Sequence, residues 1–342
     1  ISIKQKQWPG KFALDSSEFN DQVVGGKSKN LELLRGRTPN WIQLPASVAL
    51  PFGTFDATLN DPMNAQVKTK LESQILALKQ FDDSKDGDGF RALIDDIKST
   101  ISSLKPPNAL QSELESCFTK EKLSWPGDLE TSEQGQEAWR TICAVWASKY
   151  NERAVLSCKK AGLNHDDLNM AVLCQPVVNA KYAFVLHTVH PQTNDQTEIY
   201  GELVCGMGEA LVGNFAGRAL SFTVKKSDLD RPTINGFPSK SKGLFARQNT
   251  LIFRSDSNGE DLEGFAGAGL YDSVCMNEPS LESIDYTNEP ISNNEDFRNQ
   301  MLSAIAKSGM EIENLLGSAQ DIEGAITEDG KLFVVQTRPQ VF

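Results

Sequence analysis

No run of about 18 consecutive apolar residues occurs in this 342-residue sequence, so no segment reads as a membrane-spanning helix. Basic residues are outnumbered, 34 against 46 acidic, and the formal net charge of −12 argues against a general nucleic-acid binder, which needs a basic footprint. The same balance is compatible with an anionic nucleotide, because a local basic cluster and a cation can reverse the field at one site. Histidine is scarce: positions 165, 187 and 190 carry it, and none lies beside a Ser or Cys motif that would suggest a catalytic triad. The six cysteines (117, 143, 158, 174, 205 and 275) form no CxxC pair and have no histidine at metal-ligand spacing. They read as reduced, mostly buried thiols in a non-secreted protein. The sequence starts at Ile1 with neither Met nor a signal or transit pattern, so the expectation is an excised piece of a longer chain.

What is present is ordinary globular composition, 39% hydrophobic and 23% charged, in a chain long enough to bury about two or three modest cores. Its most informative stretch runs from Phe253 to Ser273. The apolar Thr250-Leu-Ile-Phe253 reads as a buried strand that delivers Arg254 to a strand end. The acidic loop beyond it has glycines at 259, 264, 267 and 269, which let backbone come close to a bound group. A guanidinium beside such a loop suits a polyphosphate; an Arg neutralised by Asp256 or Glu260 in a plain turn fits the same residues. A calcium loop fails, since counting from Asp256 puts Asp261 where the turn needs Gly and Gly267 where it needs a bidentate Glu.

Earlier, Val23-Val-Gly-Gly-Lys-Ser-Lys-Asn-Leu-Glu-Leu-Leu34 has the composition of a loop feeding a helix N-terminus, where amides, the helix dipole and Lys27 favour phosphate. It is half of a Walker A pattern, with Asp21 standing where the first Gly belongs; a capped helix with no ligand is the alternative. After a strand at Ala46–Leu50, residues 64–158 read as helical. Their apolar stripes are Val67, Leu71, Ile75, Leu78; then Phe90, Leu93, Ile94, Ile97, Ile101, Leu104; then Leu110, Leu114, Cys117, Phe118. A further helix from about Gln134 to Ala154 ends on Lys149-Tyr-Asn-Glu-Arg153, a solvated turn or a face for an anion.

From about residue 168 the period falls to two. Met170–Val178, Tyr182–Thr188, Glu198–Cys205 and Leu220–Val224 read as successive strands of an antiparallel sheet. The segment Gly206–Gly213 opens a short helix, in which Glu209 caps the helix or holds a ribose hydroxyl. A helix near Phe297–Leu316 precedes the hairpin Gln320–Ile326, Asp329-Gly330, Lys331–Pro339. Alternation puts Glu323 and Gln336 on neighbouring strands, each offering an oxygen to a hard cation such as Mg²⁺, with Arg338 on the same side. A cross-strand polar pair without metal is the alternative.

Together Gly25-Gly-Lys27, Arg254-Ser with its acidic loop, Asp321-Ile-Glu323 and Val335-Gln-Thr-Arg-Pro339 resemble the nucleotide-binding region of the pyruvate phosphate dikinase and phosphoenolpyruvate synthase superfamily. Arg254-Ser-Asp-Ser-Asn-Gly-Glu-Asp-Leu-Glu-Gly264, Ala266–Ser273, Trp125-Pro-Gly127, Trp146-Ala-Ser-Lys149 and Arg218-Ala-Leu-Ser221 narrow the resemblance to its α-glucan, water dikinase branch, across essentially the whole chain. The fold this implies is α+β: an ATP-grasp-like nucleotide-binding domain with an inserted helical region and a mainly antiparallel sheet lobe, divided into 1–160 and 161–342. The resemblance implies that Lys27, Arg254 and Arg338 contact ATP phosphates, and that Glu323 and Gln336 hold Mg²⁺ with Asp321 supporting them. It further implies that Glu209 meets the ribose, and that the strand from Gln175 through Val177 and Val178 presents backbone to adenine.

Two departures stand out. In pyruvate phosphate dikinase the Arg-Ser segment precedes the period-two strands, whereas here it follows them. None of the histidines lies in a phosphohistidine motif, so a histidine domain and starch-binding modules are expected elsewhere in a parent chain. The implied partners are ATP, that histidine domain and, through the parent protein, α-glucan; neither nucleic acid nor a membrane is expected. Plastid residence is implied, with the cytosol as alternative. Competing functions are a phosphoglucan- or pyruvate-directed dikinase and a non-catalytic nucleotide sensor.

Overall fold

The computed structural model describes residues 3–4, 6–212, 215–246, 249–260, 267 and 269–341. The chain divides into two compact units, each assembled from separated segments. One comprises residues 1–29, 46–176 and 251–276, and the other 30–45, 177–250 and 277–342. A division at residue 160 follows the change of sequence period. The structural division differs, because the strands Met170–Pro176 and Leu251–Ser257 pair with each other and with Val48–Leu50 inside the first unit.

The first unit is an antiparallel five-stranded sheet in the order Leu14–Asp15, Val48–Leu50, Met170–Pro176, Leu251–Ser257, Ser273–Cys275. Its longer helices are Ala65–Gln80, Gly87–Ser102, Asn108–Lys120, Glu133–Ala147 and Glu152–Lys160. The apolar stripes read from sequence become one core: Leu71, Ile97, Ile101, Leu104, Leu110, Leu114 and Phe118 pack with Trp139, Trp146, Val172 and Phe253. Trp139 and Trp146 meet edge to face with centroids 5.6 Å apart, and the Trp139 indole donates to the Leu104 carbonyl at 2.7 Å, so its polar edge is satisfied inside the core.

The helix expected from Gln134 to Ala154 is broken. It ends at Ala147, a 3₁₀ turn covers Ser148–Tyr150, and a new helix starts at Glu152. The cause is tertiary: Asn151 takes an extended conformation and its side-chain amide donates to Leu270 O and Asp272 Oδ1. Lys149 is consequently drawn inward rather than solvated, and burial lowers its pKa against the opposing charge of Asp56.

The second unit is built on a seven-stranded sheet ordered Ile42–Gln43, Leu332–Pro339, Gln320–Thr327, Ala180–His187, Glu198–Cys205, Leu220–Lys225, Thr233–Gly236. Every pairing in it is antiparallel except that of Ile42–Gln43 with Leu332–Pro339. Helix Glu295–Leu316 is N-capped by the Asn294 side chain and closed by Gly317 at φ +73, the left-handed conformation that glycine adopts without strain. It lays Leu302, Ile305 and Ile312 against Leu186, Ile322 and Phe222. The approach is close at Gly309, where an added Cβ would lie 2.5 Å from Leu186 Cδ2. The proline- and lysine-bearing connection after Pro232 contains two strands that the sequence pattern did not reveal, Thr233–Gly236 and Lys242–Phe245; the latter pairs with Ser280–Ser283. No helix among the described residues is long and apolar enough to cross a membrane.

Candidate functional site

The helix expected from the Gly-Gly-Lys segment runs Gly26–Leu34, and its first turn, through Lys29, belongs to the first unit. Its N-terminal amides are not open to a phosphate, because the Asp256 carboxylate holds them. Asp256 Oδ2 accepts from the Gly25 N–H at 3.0 Å, the Ser28 N–H at 3.3 Å and the Ser28 hydroxyl at 2.6 Å; Oδ1 accepts from the Lys27 N–H at 2.9 Å. Asp256 is buried, and burial raises its pKa against the favourable field of Lys27 and these donors. Gly25 has to be glycine for this contact, since a Cβ there would stand 2.3 Å from Asp256 Oδ1. The carboxylate thus caps a helix from 228 residues away in sequence.

The Lys27 side chain is held in the same cluster. Its ammonium donates to Ser255 O at 2.7 Å and is paired with Glu260, with side-chain exposures of 14% and 10%. Arg254 does not end a strand as expected but sits in the middle of Leu251–Ser257, with Leu173 and Ser273 as its cross-strand partners. The strand runs on because its residues through Ser257 continue to pair with Met170–Pro176. Asp256 and Glu260, the candidate counter-ions of Arg254, are engaged with the 25–28 segment. Most of the glycine loop beyond them, Asp261–Ala266 and Ala268, lies outside the described residues. Gln175 is buried and its side chain is committed to Ser47 Oγ at 3.0 Å.

In the second unit the hairpin brings the other residues together. Glu323 and Gln336 are direct cross-strand partners, and so are Asp321 and Arg338. The register then shifts between Glu323 and Gly324, stepping past Val335, a bulge that marks this end of the hairpin. Asp321 bonds to Arg338, its Oδ2 accepting from Nε at 2.9 Å and Nη2 at 2.7 Å, a two-pronged pair that fixes the guanidinium plane. Its other oxygen lies 3.6 Å from His187 Nδ1 on the adjoining strand, where burial lowers the histidine's pKa and Asp321 opposes that effect. Tyr200 stacks on His187 at 6.3 Å and donates to Glu202 at 2.7 Å. His187, Tyr200 and Glu202 were not read as site residues. Strand alternation alone could have put His187 on the face of Asp321, but only once the register was known.

Glu209 opens the one-turn helix Glu209–Val212 and is exposed; Gly213 lies outside the described residues. Val177 spends its N–H on Thr250 O at 2.8 Å, so its amide is not a donor for adenine, and Val178 lies beyond the strand in irregular backbone. Among the described residues no group of three or more His, Cys, Asp or Glu side chains is arranged to cage a metal. Glu323 with Gln336 offers one carboxylate and one amide oxygen, the sparse donor set of a Mg²⁺ ion that shares its shell with water and phosphate, and the residues fit that group.

These features define an α+β, ATP-grasp-like nucleotide-binding domain. The model of the "Pyruvate phosphate dikinase, AMP/ATP-binding domain" family matches residues 120–342, and the chain belongs to that family. Among curated relatives, the alpha-glucan water dikinase, chloroplastic, of Citrus reticulata is 48% identical over 100% of this chain and 22% of its own length. Alpha-glucan water dikinase 1, chloroplastic, of Arabidopsis thaliana is 50% identical over 100% of this chain and 24% of its own. The phosphoenolpyruvate synthase of Pyrococcus furiosus is 26% identical over 57% of this chain and 21% of its own. The chain therefore spans about a quarter of the length of the dikinases it matches.

Proposed function

We propose that this chain is the ATP-binding domain of an α-glucan, water dikinase. In that reaction the β-phosphate of ATP passes through a phosphohistidine on another domain to a glucosyl hydroxyl, the γ-phosphate passes to water, and AMP and phosphate leave. The observation that carries the reading is the hairpin, where the Glu323–Gln336 pair stands beside the Asp321–Arg338 pair on adjoining strands. The names of the relatives support the glucan as acceptor and the plastid as compartment.

Roles follow from side-chain chemistry. Arg338, held in plane by Asp321, contacts phosphate oxygens; Arg254 does the same from a strand paired on both sides. Lys27 adds a point charge, and Glu209 binds the ribose hydroxyls. Backbone near Val178 meets adenine, Gln175 supporting that strand from its buried position. Bound Mg²⁺ would be held by Glu323 and Gln336 and would neutralise phosphate charge. Spreading positive charge over the triphosphate is what transfer at the β-phosphate requires, because charge develops on both the transferred and the leaving group.

Isothermal titration of the chain with ATP tests the reading. Binding is expected to strengthen with Mg²⁺, and Glu323→Ala is expected to abolish that dependence, leaving a residual affinity insensitive to chelator. A Glu323→Ala chain that keeps the full metal response would remove Glu323 from the site. AMP-selective binding without metal dependence would favour a sensor. Phosphorylation by the intact parent protein of unphosphorylated glucan, against prephosphorylated glucan and pyruvate, separates the acceptors.

Glu260 gives an independent check on Lys27. With both side chains withdrawn from solvent, the carboxylate competes with a phosphate for the same ammonium. Glu260→Gln is expected to tighten ATP binding several-fold, and the gain should vanish when Lys27→Met is added. Unchanged affinity in Glu260→Gln would mean that Lys27 serves the fold alone.

A further inference from the structure

On the outer side of helix Glu295–Leu316 the second unit carries a cavity of about 400 Å³, within the range of small-molecule sites of about 300–1,000 Å³. One wall is Trp41, 44% exposed although its neighbour Ile42 is buried and paired to Leu332 in the sheet. The rest of the lining is polar: Asp296, Asn299, Gln300 and Lys307 of the helix, with Asp230 beside Lys307. The helix is anchored from behind by Met301, Leu302, Ile305 and Ala306. Asp230 is pinned by the Ser303 hydroxyl at 2.9 Å and the Lys307 ammonium at 2.6 Å.

The side chains of Asp296, Asn299 and Gln300 make no hydrogen bond or ion pair among the described residues, so their donors and acceptors remain for a ligand. The charge of the lining selects the class. Two carboxylates stand against one ammonium that is already paired, a field that repels phosphate and nucleotide. An apolar peptide would strand the amides and carboxylates unpaired. A pyranose ring meets each requirement, since its C–H face lies flat on an indole while vicinal hydroxyls bridge carboxylate and amide groups.

We propose that this cavity is a binding subsite for a neutral glucosyl chain, separate from the residues assigned to ATP. The choice of an α-linked glucan as occupant rests on the function proposed above; the recognition of a neutral sugar rests on the cavity alone. The test uses the ¹⁵N-labelled chain, following tryptophan indole signals during titration with maltoheptaose and, separately, with Mg²⁺-ATP. The expected result is a saturable shift of the Trp41 indole with a Kd of about 1 mM, typical of a single weak subsite. Trp41→Ala is expected to weaken binding at least about tenfold, and Gln300→Ala about threefold, while Trp41→Phe retains most of it and none of the three alters ATP affinity. Absence of a saturable response in the millimolar range overturns the proposal, as does a response confined to other tryptophans or one that survives Trp41→Ala. A response to a lysine-rich peptide with none to maltoheptaose also overturns it, assigning the cavity to a cationic partner. Sugar binding without ATP binding would sink the functional reading and leave this one standing; the converse outcome would do the reverse.

Discussion

Asp256→Ala is expected to destabilise the first unit by about 3 kcal/mol, the sum of a lost helix cap and of buried N–H groups left without acceptors. Four hydrogen bonds end on this one buried carboxylate, from Gly25, Lys27 and twice from Ser28. Asp256→Asn recovers only part of the loss, because its amide presents hydrogens to donors on one side. The pH dependence has a definite sign. Burial raises the folded-state pKa of Asp256 above 3.8, so the folded chain binds this proton more tightly than the unfolded one. Its contribution is therefore present at low pH and weakens as pH rises through the raised value. The deficit of the alanine variant should persist undiminished as pH is lowered from neutrality toward 3.8, whereas a carboxylate with a depressed pKa would show it shrinking. Urea unfolding at two pH values measures both effects. A midpoint unchanged by Asp256→Ala would show that water caps the helix as well as the carboxylate does.

Arg254→Lys is expected to cut turnover of the parent enzyme by about 2–4 kcal/mol at the transition state, around a hundredfold, while changing ATP affinity far less. Arg254 projects from the middle of a strand paired on both sides, so the backbone that carries its fork is fixed. A lysine ammonium supplies the charge without the two parallel hydrogen bonds. Phosphohistidine formation in the full-length protein, measured beside nucleotide titration, separates the two quantities. Normal turnover of Arg254→Lys would remove Arg254 from the reacting phosphates, and an equal loss in binding and turnover would make it a uniform binding contact.

The pairing of Glu323 with Gln336 across the hairpin depends on local pattern, and local pattern was enough to read that pairing. Period-two alternation and an Asp-Gly turn put Glu323 opposite Gln336, and the register agrees. The apolar stripes of residues 64–158 were legible for the same reason: a helix face repeats in the sequence that makes it, and Ile97, Ile101, Leu114 and Phe118 are all buried. Glycine spacing likewise announced a helix at 26, and the segments that carry the family resemblance are contiguous in the chain.

What only the tertiary structure decided are partnerships between segments distant in sequence, where no period exists to be read. The Gly-Gly-Lys amides looked open for phosphate; a carboxylate 228 residues further on occupies them. Lys27, read as a point charge for phosphate, meets Glu260 and Ser255 O, residues that no local spacing places beside it. Arg254 moved from a strand end to a strand middle because polar residues such as Ser255 and Asp256 continue a strand when neighbouring backbone satisfies them. The expected long helix ends at Ala147, ahead of Asn151, whose amide is held by Leu270 O and Asp272. Sequence carries hydrophobic period and turn chemistry residue by residue, whereas a buried charge finds its partner only when two remote segments are closed onto each other. The phosphate cradle expected at residue 25 is, in the folded chain, a helix capped by its own carboxylate.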